Sequence, residues 1–146
     1  MTAKPILILL AEDDLAHAEI VRRNLADCRM ANRLVHLTDG QAALDYLHGR
    51  PGPGVPAAFG RPNLILLDLR LPKVDGLDVL RALKADEDLR AIPVVVLTTS
   101  AAEADRMRAY ETGANSYLVK PMDFGQFTGL LRTLGYYWLV WNVYPC

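Results

Sequence analysis

Five short apolar runs, each followed by a stretch with helical spacing, limit this chain to a small set of folds. The runs are Ile6–Ala11, Leu34–Leu37, Leu64–Leu67, Val94–Leu97 and Tyr117–Val119. They are too short for core helices, and most lack the apolar–polar alternation of a half-solvated strand. They read as strands covered on both sides, the mark of a parallel sheet with helices on its faces. The first helical stretch runs from Leu15 to Cys28, with Ala18, Val21 and Leu25 on one face and Asp14 as its cap. The second starts at Asp39-Gly40 and carries Ala43, Leu44 and Leu47; the third starts at Gly76-Leu77 and carries Leu80 and Leu83. The fourth follows Ser100, turns Met107 and Tyr110 inward and stops at Gly113. In the last, Phe127, Leu130, Leu131, Leu134 and Trp138 form a continuous stripe. Five strand–helix pairs predict an α/β fold, a five-stranded parallel sheet covered on both faces, and the flavodoxin-like order 2-1-3-4-5 is the simplest doubly wound solution for it.

At 146 residues and 51% hydrophobic, the chain is expected to be one domain with its own core. A net charge of −1 without a Lys/Arg cluster points away from nucleic acid and anionic membrane. The apolar N-terminal run is too short for a signal core, and no stretch approaches the ~20 apolar residues of a membrane helix. A cytoplasmic protein is expected. Cys28 and Cys146 have no metal-ligand spacing. Gly49 to Pro62, rich in Pro and Gly, reads as an extended surface connection.

The stretch NLILLDLRLPKVDG, Asn63 to Gly76, puts a carboxylate directly after a buried run. An ionised group there needs surface access or a partner. Loop chemistry follows it, so Asp68 is expected where the strand reaches the surface. In a doubly wound sheet, ligands bind beyond the carboxyl ends of the strands. Glu12 and Asp13 fall there after the first strand and Asp68 after the third. Thr98, with Thr99 and Ser100 following, ends the fourth, and Lys120 ends the fifth, before Pro121. Crowded carboxylates call for a cation, and Mg²⁺ suits oxygen ligands. Carboxylate, Mg²⁺, ammonium and hydroxyl together suit phosphoryl transfer, with Asp68 as nucleophile.

The segments LLAEDD, LLDLRLPKVDG, VVVLTTS and YLVKP resemble the signatures of response-regulator receiver domains of two-component signalling, over about residues 5–135. The resemblance implies that Asp68 is the phosphoacceptor. It implies that Glu12, Asp13, Asp68 and the backbone carbonyl of Arg70 hold Mg²⁺, with Mn²⁺ or Ca²⁺ as substitutes. Thr98 would be the switch hydroxyl, Thr99 its neighbour on the phosphate wall, Tyr117 the aromatic that moves with it, and Lys120 the phosphate-binding lysine. It also implies a cis Lys120–Pro121 bond. Such a protein is a phosphoacceptor rather than an enzyme, assisting only its own phosphorylation and dephosphorylation. Its phosphodonor is a histidine kinase, and its output face is the fourth helix, fifth strand and fifth helix. The long loop and aromatic tail look most like single-domain regulators paired with phytochrome-type histidine kinases.

Residues 136–146 form the tail and, in this reading, no output domain follows. The tail either folds back on its own domain or serves as an association surface through Tyr137, Trp138, Trp141 and Tyr144. Self-association as a homodimer is the expected use, and a partner protein is the alternative. Three other functions compete. A pseudo-receiver would bind partners without being phosphorylated, yet every site residue is present. A small aspartyl-phosphate phosphohydrolase would want a carboxylate at position 70, where Arg70 stands. A flavin- or nucleotide-binding module would want a Gly- or hydroxyl-rich loop where Glu12-Asp13-Asp14 stands.

Overall fold

The structure, a computed structural model, describes residues 6–27, 32–56 and 60–135. Strands β1 (Ile6–Ala11), β2 (Asn32–Leu37), β3 (Leu64–Leu67), β4 (Val94–Thr98) and β5 (Ser116–Val119) alternate with five helices. These are α1 (Leu15–Ala26), α2 (Gly40–Leu47), α3 (Gly76–Ala85), α4 (Glu103–Thr112) and α5 (Phe124–Gly135). The strands form one parallel sheet in the order β2-β1-β3-β4-β5, as the alternation predicts.

Successive strand residues face opposite sides of a sheet, and here each side has its own core. Leu7, Leu9, Ile65, Leu67, Val94 and Val96 pack with α2, α3 and the single small residue Ala109 of α4. Ile8, Leu10, Leu64, Leu66, Val95 and Leu97 pack with Ala18 and Val21 of α1 and Phe127 and Leu131 of α5. Burial of β1, β3 and β4 on both sides explains their unbroken apolar runs. The edge strand β2 is only half-buried and begins at Asn32, before its apolar stretch.

Asp14 caps α1, its Oδ1 accepting the amides of Ala16 (2.9 Å) and His17 (3.1 Å), as its position before the helix suggests. Gly113 ends α4 at φ 114°, the left-handed conformation that glycine adopts freely. In α4 the expected inward face is wrong. Met107 and Tyr110 are exposed, and the buried residues are Asp105 and Ala109. The Lys120–Pro121 bond is trans, the ordinary state of an X–Pro bond, against the cis form that the family resemblance implies. In the Gly49–Pro62 segment, the described residues carry no helix or strand. Trp138 and the other proposed association residues of the tail, Tyr137, Trp141 and Tyr144, lie outside the described residues, as does the side chain of Leu134. Among the described residues no helix is long and apolar enough to cross a membrane.

Candidate functional site

Strand register builds the site. Ala11 pairs with Leu67, so the next residues, Glu12 and Asp68, lie side by side past the ends of β1 and β3. Backbone bonds carry the ladder one residue further: Glu12 N–H to Leu37 O (3.0 Å), Asp68 N–H to Ala11 O (3.0 Å) and Lys120 N–H to Thr98 O (2.7 Å). Three ionisable side chains are thereby fixed at one edge of the sheet before any of their own bonds form.

Alternation then divides the edge in two. Glu12, Asp68 and Lys120 continue the side on which Leu10, Leu66 and Leu118 meet α1 and α5. Thr98 continues the opposite side, with Val96 and Tyr117. On the first side, the Lys120 ammonium donates to Glu12 Oε1 and to Asp68 Oδ2 (2.9 Å), and lies 3.1 Å from His17 Nδ1. The His17 ring in turn leans on Phe127, with centroids 5.6 Å apart. On the second side, Thr98 Oγ1 accepts the Ser100 amide (3.3 Å) and the Tyr117 hydroxyl donates to the Ser100 carbonyl (2.8 Å). Tyr117 is therefore already buried. Thr98 is fully buried, while Thr99 is exposed at the end of β4.

Asp68 departs from its expected exposure. It is 6% exposed, because Lys120 covers one oxygen and the Arg70 amide donates to the other at 3.2 Å. Of the two solutions open to a carboxylate after a buried strand, the fold uses the partner. The partners also separate the acids electrostatically. Burial pushes Glu12 up to about 7, against the opposing pull of Lys120. Burial pushes Asp68 upward too, but its bonds to Lys120 and to the Arg70 amide outweigh this and leave it below the usual carboxylate range. Asp68 is thus the ionised member of the pair and Glu12 the one readier to hold a proton.

Glu12, Asp13 and Asp68 each offer an oxygen, and these lie within 4.8 Å of one another, with Asp13 exposed at the mouth of the cluster. Three carboxylates face one ammonium, an excess of negative charge made of hard oxygen donors. That donor set fits an alkaline-earth or similar divalent ion rather than a soft metal.

The loop after Asp68 is held tightly. A Cβ at Gly76 would stand 2.2 Å from the Asp68 carbonyl oxygen, so α3 can start against the Asp68 backbone only with glycine there. Lys73 adopts φ 68°, an uncommon conformation for a residue with a side chain, and its ammonium lies 3.6 Å from Asp39. From sequence, His17 and Asp105 were missed as neighbours of the site. His17 carried one weak signal, standing one helical turn after Asp13. Asp105 contacts Arg70, 35 residues away, and no local pattern exposes that.

A carboxylate cluster, a buried lysine and a strand-end hydroxyl at one edge of a doubly wound parallel sheet make a site suited to a divalent cation and a phosphoryl group. Residues 8–132 match the response regulator receiver domain, and the chain belongs to that family. It is 48% identical over 141 residues to the probable methanogenesis regulatory protein FilR2 of Methanothrix harundinacea, covering 97% of this chain and 88% of that protein. It is 41% identical over 135 residues to response regulator Rcp1 of Synechocystis, covering 92% and 90% respectively. The solved Mn²⁺-bound form of Rcp1 superposes with a TM-score of 0.91 at 39% identity, covering 97% of this chain and 100% of that one. The phosphorylated cyanobacterial phytochrome response regulator RcpA also gives 0.91, at 35% identity, covering 98% and 100%.

Proposed function

We propose that Asp68 accepts a phosphoryl group from the phosphohistidine of a phytochrome-type histidine kinase and that the chain signals through that modification. The observation that carries this reading is the environment of Asp68. It is a carboxylate after a fully buried strand, with a buried ammonium 2.9 Å from one oxygen and the Arg70 amide 3.2 Å from the other. Likeness to RcpA, a phytochrome response regulator solved in its phosphorylated form, supports the donor class.

In the transfer, an Asp68 oxygen attacks phosphorus while the P–N bond to the kinase imidazole breaks and its electron pair returns to the ring. An aspartyl-phosphate is formed. Glu12, Asp13, Asp68 and the Arg70 carbonyl would hold Mg²⁺, or Mn²⁺ as in the Rcp1 structure, and the ion would spread charge over the phosphoryl oxygens. Lys120 gives up a carboxylate bond and takes a phosphoryl oxygen in its place. His17 stays beside its ammonium and keeps it oriented. On the other side of the edge, the Thr98 hydroxyl turns from the Ser100 amide to the new phosphate, and the loop into α4 moves with it.

Output runs through α4, β5 and α5 as a homodimer surface. Met107, Tyr110 and Val119 are exposed there, with Met122 and Phe124 beside them. An apolar surface of that kind suits a partner, and a second copy with two-fold symmetry is the simplest one.

The test is intact-mass measurement with acetyl phosphate and Mg²⁺, before and after Asp68→Asn. Wild type gains one phosphoryl group and the variant gains none; a variant that still labels would move the acceptor elsewhere. Sedimentation of the same samples reports the dimer, and a monomer in both states would remove the output surface from the proposal.

A further inference from the structure

Arg70 reaches across the two sides of the site. Arg70 donates its amide to Asp68 Oδ1 at 3.2 Å, and its guanidinium donates to Asp105 Oδ2 on α4 at 2.6 Å. The same Asp105 oxygen accepts the Ser100 hydroxyl at 2.6 Å. Ser100 is also the residue whose amide reaches Thr98 and whose carbonyl receives Tyr117. One carboxylate therefore gathers the phosphoacceptor loop, the switch-hydroxyl loop and the start of α4.

Its burial gives the arrangement weight. Asp105 is 6% exposed, and among the ten residues of α4 only Ala109 is buried with it. A carboxylate in such a place is costly unless it is paired. Here the pairing fixes the helix, since α4 presents little apolar surface to the sheet.

We propose that Asp105, acting through Arg70 and Ser100, is the positioning residue that couples the phosphoryl state of Asp68 to α4. The proposal rests on the phosphoacceptor reading of Asp68. Phosphorylation turns the carboxylate that the Arg70 amide now touches into an acyl phosphate, which takes charge from the oxygen receiving that amide, and it draws Thr98 away from Ser100. Both changes reach Asp105 through a single hydrogen bond each. Without Asp105, the chemistry proceeds and the helix is not told.

Amide hydrogen exchange of residues 103–112, with and without acetyl phosphate and Mg²⁺, tests this in full-length wild type, Asp105→Asn, Arg70→Met and the double variant. Asp105→Asn is nearly isosteric and takes up phosphoryl as wild type does, which intact mass verifies. Per phosphoryl group incorporated, the exchange response of 103–112 falls at least about threefold in each single variant, and the double variant loses no more than the singles. A response equal to wild type in Asp105→Asn overturns the proposal. So does faster exchange in both states with the difference between them preserved, since that is a helix merely loosened. If wild type itself gains no mass, the phosphoacceptor reading fails first. The tie is then judged on the unmodified proteins, where effects of the two substitutions that simply add overturn it as well.

Discussion

Helices α3 and α4 are neighbours on the same face of the sheet and have ten residues each, but they are held by different physics. α3 buries Gly76, Leu77, Val79, Leu80 and Leu83, a full apolar stripe on the core. α4 buries one alanine and one carboxylate, and shows Met107 and Tyr110 to the solvent. Apolar burial is non-directional and forgiving of small shifts, whereas a carboxylate bound by a guanidinium and a hydroxyl depends on geometry. A helix held mainly by such bonds can be repositioned when one of them is redirected. A helix held by a leucine stripe stays where it is. The pairing of a fixed helix with a movable one is what a two-state switch requires.

The largest expected effect tests the fixed half. Leu80 is fully buried, so Leu80→Ala should cost about 2–5 kcal/mol in denaturant unfolding, through lost transfer free energy and the cavity left behind. A cost below about 1 kcal/mol would mean that α3 is no more firmly packed than α4, and the contrast would collapse.

A smaller effect is expected where β5 meets the loop into α4. Tyr117→Phe keeps the ring and removes the hydroxyl that reaches the Ser100 carbonyl at 2.8 Å. Stability should fall by about 1 kcal/mol, the worth of one hydrogen bond with a carbonyl left unpaired. Phosphoryl uptake measured by intact mass should be unchanged, because the hydroxyl points to the α4 side and away from Lys120. A variant that no longer labels would show that the two sides of the site are one unit.

The same contrast explains what could be read from the sequence. The parallel sheet follows from runs buried on both sides, a signal carried by neighbouring residues, and its order is the simplest doubly wound one for five strands. Glu12, Asp13, Asp68, Thr98 and Lys120 were legible as a group because parallel topology brings strand ends to one edge. α3 was legible from Leu80 and Leu83, whose spacing matches their burial. α4 was not, since Met107 and Tyr110 are its largest apolar residues and periodicity turns them inward. What its buried side carries instead is Ala109 and Asp105, the latter paired with Arg70 across 35 positions. The burial of Asp68 escaped for the same reason, its cover being Lys120, 52 positions away. Local patterns report apolar burial well and polar pairing at long range poorly.

The smallest expected effect is the most discriminating. Met107 is 53% exposed on α4 and contributes little to the core, so Met107→Ala should change stability by no more than about 0.5 kcal/mol. The same substitution removes apolar surface from the proposed association face, so sedimentation of the phosphorylated protein should shift toward monomer. Tyr110 stands one turn further along α4 at 49% exposure, with its hydroxyl accepting the Tyr117 amide at 3.2 Å, so Tyr110→Ala would disturb β5 as well as the surface. Met107 carries no such bond and separates the two roles. Loss of association at constant stability would mark α4 as a helix whose apolar residues serve the outside of the molecule. A stability loss comparable to that of Leu80→Ala would place Met107 in the core after all, and α4 would then be a second α3.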